Sequence, residues 1–317
     1  MDSPRRRRPR DYPLPRRGVP WTELSTRLAP RDIRHALHGG DLVRLTHGVY
    51  APSSAAEEHH RHLALLQGLT SGRDRVVSHA TAAQLQGITG DPLLPRYHLT
   101  SPRLAARVRR SGMVIGHRSD IPEEDIRQIH GLPTTSVTRT WTDIALSGPL
   151  VEALIFTDQV IRAGRTEFGE PSEPWATKHE LTEALRRRGS APGVRTARQA
   201  LSLSRKGSDS PQETRLRLLM HQAGLPEPDV NAWLIDDAGI AVVQPDLSIP
   251  QYRVAIQYDS WEHHRDPGQM LKDIHRAELT EAIGWIEVRI TREHLRDGGR
   301  RAIEKICRAL RFRGWPG

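Results

Sequence analysis

The chain has 317 residues and a single cysteine, Cys307. That one thiol excludes an internal disulfide framework and any cysteine-rich zinc site, as expected in a reducing cytoplasm. Long apolar runs are also missing, and none approaches the roughly 20 residues that a membrane-spanning helix needs. The opening, Met1 to Arg17, is rich in Arg and Pro and has no apolar segment, so it does not read as a secretory signal. Lysine is scarce too: of 47 basic residues only Lys178, Lys206, Lys272 and Lys305 are lysine, and the formal net charge is +9. Arginine carries that excess, and its planar guanidinium suits bidentate contacts with phosphate or guanine. A soluble cytoplasmic protein with a nucleic-acid partner is the expectation.

The length suits about two domains, each large enough for its own core. Residues 1–18 hold Arg5, Arg6, Arg7, Arg8, Arg10, Arg16 and Arg17 among prolines. This composition predicts a disordered basic arm, either tracking phosphates or simply solvated. From 19 to 54 the pattern changes to short helices and a hairpin. Pro30 and Asp32 open a helix, Ile33, Ala36 and Leu37 give it an apolar stripe, and Gly39-Gly40 stops it. Leu42 to Tyr50 reads as two strands about a turn near His47-Gly48. Helix, helix and wing make a winged helix-turn-helix. Arg31, Arg34, His35 and His38 decorate the second helix, the element that enters a major groove in this motif, and Arg44 lies in the wing. A small structural domain with a solvated basic face is the other reading.

"RDIRHALHGGDLVRLTHGVYA", residues 31–51, resembles the N-terminal domain of the AbiEi-type antitoxins, and "VVSHATAAQLQGI", "HLTSP" and "GLPTTSVTRTWTDIA" resemble the middle region of that broad family. The resemblance implies operator binding by the winged helix and a possible cognate toxin as partner. Residues 55–164 mix short strands (97–100, 113–117) with helices (78–86, 136–146, 150–163) and form a middle α+β region. The cluster Glu57 to His62 places histidines at 59, 60 and 62 without the i, i+4 spacing that puts two ligands on one helical face, so it reads as a polar helix surface. Residues 165–209 read as a linker with helices: Gly164 to Glu173 is Gly-, Glu- and Pro-rich, and Thr177-Lys-His-Glu180 has the form of a capping box.

The last region, 210–317, reads as a helix (211–223), three strands (230–236, 241–249, 253–259), a helix (268–283), a strand (285–291) and a helix (292–311). That αβββαβα order matches the core of the restriction-endonuclease-like PD-(D/E)XK nucleases, giving an α+β / α/β multidomain chain overall. Two of its strands carry polar residues that a strand interior usually avoids. Alternation puts Val243, Pro245, Leu247 and Ile249 on one face and Gln244, Asp246 and Ser248 on the other. Val254, Ile256 and Tyr258 oppose Ala255, Gln257 and Asp259 in the same way. Pairing of the two runs would line Asp246, Gln257 and Asp259 along one end of a sheet, followed by His263 and His264.

"SPQETRLRLLMHQAGLPEPDVN", "QPDLSIPQYRVAIQYDSWEHH" and "DIHRAELTEAIGWIEVRIT" resemble a domain family related to the very-short-patch repair endonucleases. By that resemblance Asp246 is the metal-binding aspartate, with one or two Mg2+ or Mn2+ ions as cofactor. Gln257 stands at the second metal position, where most of these domains have glutamate; a carboxamide oxygen can coordinate magnesium but brings no charge. Asp259 can compensate, and Ser260 replaces the usual glycine. His263 stands where the repair enzymes place the histidine that activates water, a task suited to its pKa near neutrality. Glu213 matches an acidic residue on the first helix beside the metal, yet Ser210-Pro-Gln-Glu213 is also a capping box with proline at N1. By the same resemblance Asp273 and Arg276, on the next helix, lie near the site, while Glu287 and Arg289 share one face of the last strand; Arg276 and Arg289 are candidate phosphate contacts, and an ordinary surface of charged pairs is the other reading. Three functions follow. One is a double-stranded-DNA-binding protein with a metal-dependent endonuclease domain; the second is an antitoxin-like repressor whose nuclease fold no longer cuts; the third is an interaction protein that binds a toxin through the middle domain.

Overall fold

The structure, a computed structural model, describes residues 13–55, 58–72, 74–89, 96–102, 112–163, 173–259 and 267–317. Most of the basic arm, the segment 164–172 and the stretch 260–266 lie outside them. The chain divides into two compact units, Met1–Asp143 and Ile144–Gly317.

The first unit begins with β1 (Val19–Pro20), α1 (Trp21–Arg27), α2 (Pro30–Gly39), β2 (Leu42–Thr46) and β3 (Val49–Pro52). Pro30 starts α2 where a missing N–H costs nothing, and Gly40, at φ 78°, ends it by donating its N–H to Ala36. The strands form a sheet in the order β1-β3-β2. Beneath it Val19, Leu24, Leu28, Ile33, Ala36 and Leu42 make one small core. Helix α3 (Glu58–Thr70) follows, with Leu65, Leu66 and Leu69 buried along one side. Then come β4 (Val76–Val77), α4 (His79–Leu85), β5 (Tyr97–Ser101), β6 (Val114–Arg118), β7 (Ile126–Ile129), β8 (Leu132–Thr135) and α5 (Val137–Ser147). The five strands form a mixed sheet in the order β6-β5-β4-β8-β7, with β5 and β6 parallel.

The second unit opens with α6 (Leu150–Ile161), α7 (Lys178–Arg187) and α8 (Val194–Leu203). The sequence places 165–209 in a linker, but its described part, 173–209, is a packed layer. Leu181, Ala184 and Leu185 of α7 and Val194, Ala197 and Ala200 of α8 are buried. Few positions of each helix are fully buried, so the stripe is thin. The capping box at Thr177 and Glu180 forms as expected. Helix α9 (Pro211–Gln222) is tied to α6 by a buried ion pair, Arg217 Nη2 to Asp158 Oδ2 at 2.7 Å. Thr214 Oγ1 and the Arg205 main-chain N–H also donate to that aspartate.

After α9 the chain forms β9 (Asp229–Val230), β10 (Leu234–Ile235), β11 (Ala241–Val243), β12 (Leu247–Ile249) and β13 (Val254–Asp259), then α10 (Pro267–Ala282), β14 (Ile286–Thr291) and α11 (Arg300–Phe312). Two of the expected strands are each divided. Asn231 at φ 49° breaks the run 230–236, and residues 244–246 break the run 241–249, so that β10 and β11 form a separate hairpin. Pro245, without an N–H, cannot continue a ladder. The last helix starts at Arg300 rather than 292, because Asp297, Gly298 and Gly299 all have positive φ, which no right-handed helix accommodates. The main sheet runs β14-β13-β12-β9; β12 is antiparallel to both neighbours, and β13 and β14 are parallel.

Candidate active site

Strand alternation divides this sheet by chemistry. Leu247, Ile249, Val254, Ile256, Val288 and Ile290 pack with Leu216 and Met220 of α9 and Ala302, Ile306 and Leu310 of α11. The register sets Ser248 beside Ala255 and Glu287, Gln257 beside Arg289, and Asp259 beside Thr291, all on the opposite face. Helix α10 contributes Asp273 and Arg276 to the same side, where Arg276 reaches Asp273 at 3.1 Å and Glu287 at 3.8 Å.

Asp246 stands at the entrance to β12. The ladder between β12 and β13 ends at the pair Leu247 and Ile256, leaving the next N–H without a strand partner. The Asp246 carboxylate takes it: Tyr258 N donates to Oδ2 at 2.6 Å. The Gln257 side chain also hydrogen-bonds Asp246. A carboxylate can only accept, so the amide NH2 faces it and the carbonyl oxygen faces away. That Gln257 Oε1 is buried and has no hydrogen-bond partner among the described residues. An orphaned buried acceptor costs roughly 1–3 kcal/mol, which is a reason to expect a ligand there.

Glu213 lies on the other flank. Ser210 Oγ caps α9 by accepting from the Glu213 N–H at 3.2 Å. The Glu213 carboxylate does not close a capping box on Ser210. It is turned inward, 6 % exposed, and accepts from the Asp209 N–H at 2.9 Å and Asn231 Nδ2 at 3.1 Å. Burial, then the nearby charge of Asp246, pushes its pKa up to about 7. Burial likewise pushes Asp246 up to about 6, against the Tyr258 N–H, the Gln257 hydrogen bond and the Arg276 charge. Two carboxyls poised to titrate near neutrality are the kind of perturbation found at functional sites.

The remaining expected residues divide. Arg276 and Arg289 flank the site and are engaged by carboxylates there: Arg289 Nε donates to Glu287 Oε1 at 2.5 Å and its Nη2 to the Asp273 carbonyl at 2.8 Å. Asp259 sits two residues beyond Gln257 on the same face, where its charge is felt by Tyr258 and Arg289. His263, His264 and Ser260 lie outside the described residues. Asn231 was missed. It donates to Glu213 and to the Gly207 carbonyl at 2.6 Å, while its own N–H holds the Asp246 carbonyl at 2.9 Å. Its left-handed backbone, which asparagine tolerates better than most residues, is the one local signal that could have marked it.

The donor set suits a hard divalent cation. Asp246 offers a carboxylate and Gln257 an unpartnered carbonyl oxygen, with water able to fill the rest, as magnesium sites allow. In the first unit Arg31, Arg34 and His35 are exposed along α2, and Arg44 is exposed on β2 with its Nη2 2.8 Å from His47 Nδ1. Among the described residues no helix is long and apolar enough to cross a membrane.

No family model matches the chain. Two uncharacterized proteins of Mycobacterium tuberculosis, MT2308 of strain CDC 1551 / Oshkosh and Rv2248 of strain ATCC 25618 / H37Rv, are each 27% identical over 274 residues, 86% of this chain and 93% of theirs. Among solved structures, the RV2827C protein of Mycobacterium tuberculosis aligns with TM-score 0.41 and 17% identity, over 65% of this chain and 81% of that one. Likeness at this level assigns neither a family nor an activity, and the site's own chemistry is what bears on function.

Proposed function

We propose that the chain acts on double-stranded DNA, held by the α2 face and the β2–β3 hairpin, and that its C-terminal unit hydrolyses a phosphodiester bond with Mg2+ or Mn2+. The observation that carries this reading is Gln257, whose amide NH2 bonds the Asp246 carboxylate near Glu213 while its buried Oε1 has no partner among the described residues. Asp246 and Gln257, its amide turned over so that Oε1 faces the carboxylate, would hold the cation. When bound, it supplies charge neutralisation at the phosphate and an acidified water. Glu213, with a pKa of about 7, suits holding a proton at its carboxylate near neutral pH. Arg276 and Arg289 give the flank a positive face for phosphate, moderated by Glu287 and Asp273. The sheet order β14-β13-β12-β9, with one strand antiparallel to its neighbours, supports the endonuclease-like reading of this domain.

A second reading, a non-catalytic antitoxin-like repressor, is favoured by the missing charge at Gln257. Purified protein with supercoiled plasmid and Mg2+ or Mn2+ separates the two. The nuclease reading expects cleavage that is lost in Asp246→Ala and increased in Gln257→Glu. No cleavage by the parent chain with either ion, alongside intact duplex binding, would leave the repressor.

A further inference from the structure

In the first unit the fold gathers three histidines that are 19 residues apart in sequence. His98 lies on β5 and His117 on β6, and these strands are parallel neighbours in which His117 pairs with Thr100. His79 opens α4 directly after β4, which pairs with β5 on its other side. One ring nitrogen from each can be chosen so that all three lie within 4.8 Å of one another. His98 Nδ1 and His117 Nε2 share a hydrogen bond of 3.0 Å. The rings of His79 and His117 stack at 3.6 Å between centroids, 14° from parallel.

We propose that His79, His98 and His117 form a binding site for one divalent transition-metal ion, zinc by the chemistry of its donors. Three imidazoles without a carboxylate or thiolate are a borderline set that suits zinc and its neighbours rather than magnesium or calcium. In a tetrahedral site with metal–nitrogen bonds of about 2.0–2.1 Å, two ligand nitrogens stand about 3.3 Å apart. The His98–His117 separation of 3.0 Å is therefore close to one edge of that tetrahedron. On binding, the ion takes the place of the proton that lies between these two rings, and that proton moves to the other nitrogen of the ring that carried it, so both bind as neutral imidazoles. The His79 ring completes the set by turning about its side-chain torsions, from lying flat on His117 to aiming a nitrogen at the ion.

The surroundings prepare this. His79 Nδ1 lies 3.0 Å from Ser78 Oγ, which also accepts from Thr100 Oγ1 at 2.7 Å, so Nε2 is left as the free nitrogen of that ring. Ser78 and Thr100 are fully buried, the outer-shell support that metal-bound histidines use. The His98 main-chain N–H donates to Thr81 Oγ1 at 2.9 Å and pins β5 to α4. His79 holds a left-handed backbone at φ 50°, a strained conformation for histidine. The charge of Arg139 acts on His79. Arg139 is offset by its 2.9 Å ion pair with Asp143. No fourth protein ligand joins the three among the described residues. The fourth position falls to water, which is how zinc sites with chemistry differ from closed structural ones.

The test is a titration of chelator-stripped full-length protein with Co2+, read by visible absorption, followed by Zn2+ competition and metal analysis. Variants His98→Gln and His117→Gln, singly and together, are compared with His60→Gln. The expected result is one ion per chain that gives a tetrahedral cobalt spectrum, with affinity for it lower by on the order of a hundredfold in each single variant and unchanged in His60→Gln. Two outcomes overturn the proposal: no tetrahedral cobalt signal from the parent chain, or that signal retained in the double variant. Imidazole 1H–15N spectra of the parent chain with Zn2+ keep the test independent of variant folding. Three perturbed histidines that exchange together support the site, and perturbation of other histidines alone refutes it.

Discussion

Replacing Glu213 by glutamine should stabilise the C-terminal unit in mild alkali and leave it almost unchanged in mild acid. The carboxyl is raised from 4.5 to about 7 by burial and by the charge of Asp246. A group whose folded pKa exceeds its unfolded value stabilises fully below the unfolded pKa, and that contribution is lost as pH rises through the folded one. For Glu213 the window therefore runs from 4.5 to about 7, and the loss across it is about 3 kcal/mol, at about 1.4 kcal/mol per pH unit. Glutamine cannot ionise. Its carbonyl oxygen can still accept from the Asp209 N–H and Asn231 Nδ2, and the Ser210 cap uses the main-chain N–H, which is unchanged.

The net gain should be about 1–3 kcal/mol at about pH 8 and within about 0.5 kcal/mol of zero at about pH 4. Urea unfolding followed by circular dichroism, without divalent ions, measures it as the difference between variant and parent. Taking differences cancels the histidines of the first unit, whose lowered pKa values give a pH dependence of opposite sign. An equal effect at both pH values would refute the reasoning, since it would mean that Glu213 titrates alike in folded and unfolded chains. Mg2+ at about pH 8 should narrow the gap, because a cation bound to the ionised site stabilises the parent by mass action.

Asp158→Ala strands Arg217, both side chains being at most 2% exposed, and should cost the second unit about 3–5 kcal/mol in urea unfolding; a loss under about 1 kcal/mol would mean the pair contributes no net stability. The double variant Arg31→Ala/Arg34→Ala should weaken duplex binding and reduce the slope of log affinity against log salt by about 2, as two lost phosphate contacts require; an unchanged slope would move the DNA face away from α2.

What was legible in the sequence is what is local. Pro211 after Ser210, Thr177 followed by Glu180, and Gly40 after α2 each announce a helix end through chemistry within four residues, and each forms. The broken strand at residues 244–246 was marked in the sequence by Pro245 alone. Its alternation is continuous through Pro245, so the pattern is the same whether one strand or two sheets result. The same holds for 173–209, whose narrow apolar stripes become a core because α8 packs against both α6 and α7. The Asp297-Gly298-Gly299 turn was readable in principle, as two successive glycines open the helix there.

The two sites show the same division between chain and fold. Gln257 and Asp259 share one face of a strand, and Asp246 precedes the strand antiparallel to it, so a period of two and a short connection bring Gln257 to Asp246 on paper as in space. His79, His98 and His117 have no such route. Their proximity depends on β5 pairing in parallel with β6 and antiparallel with β4, registers that a sequence reading of spacing cannot supply. The histidines that spacing did draw attention to, at 59, 60 and 62, are neighbours in sequence, and His62 is occupied by a hydrogen bond to the Tyr97 hydroxyl. Closeness along the chain is therefore a poor guide to ligand sets built on sheets, where residues that share a face come from different strands.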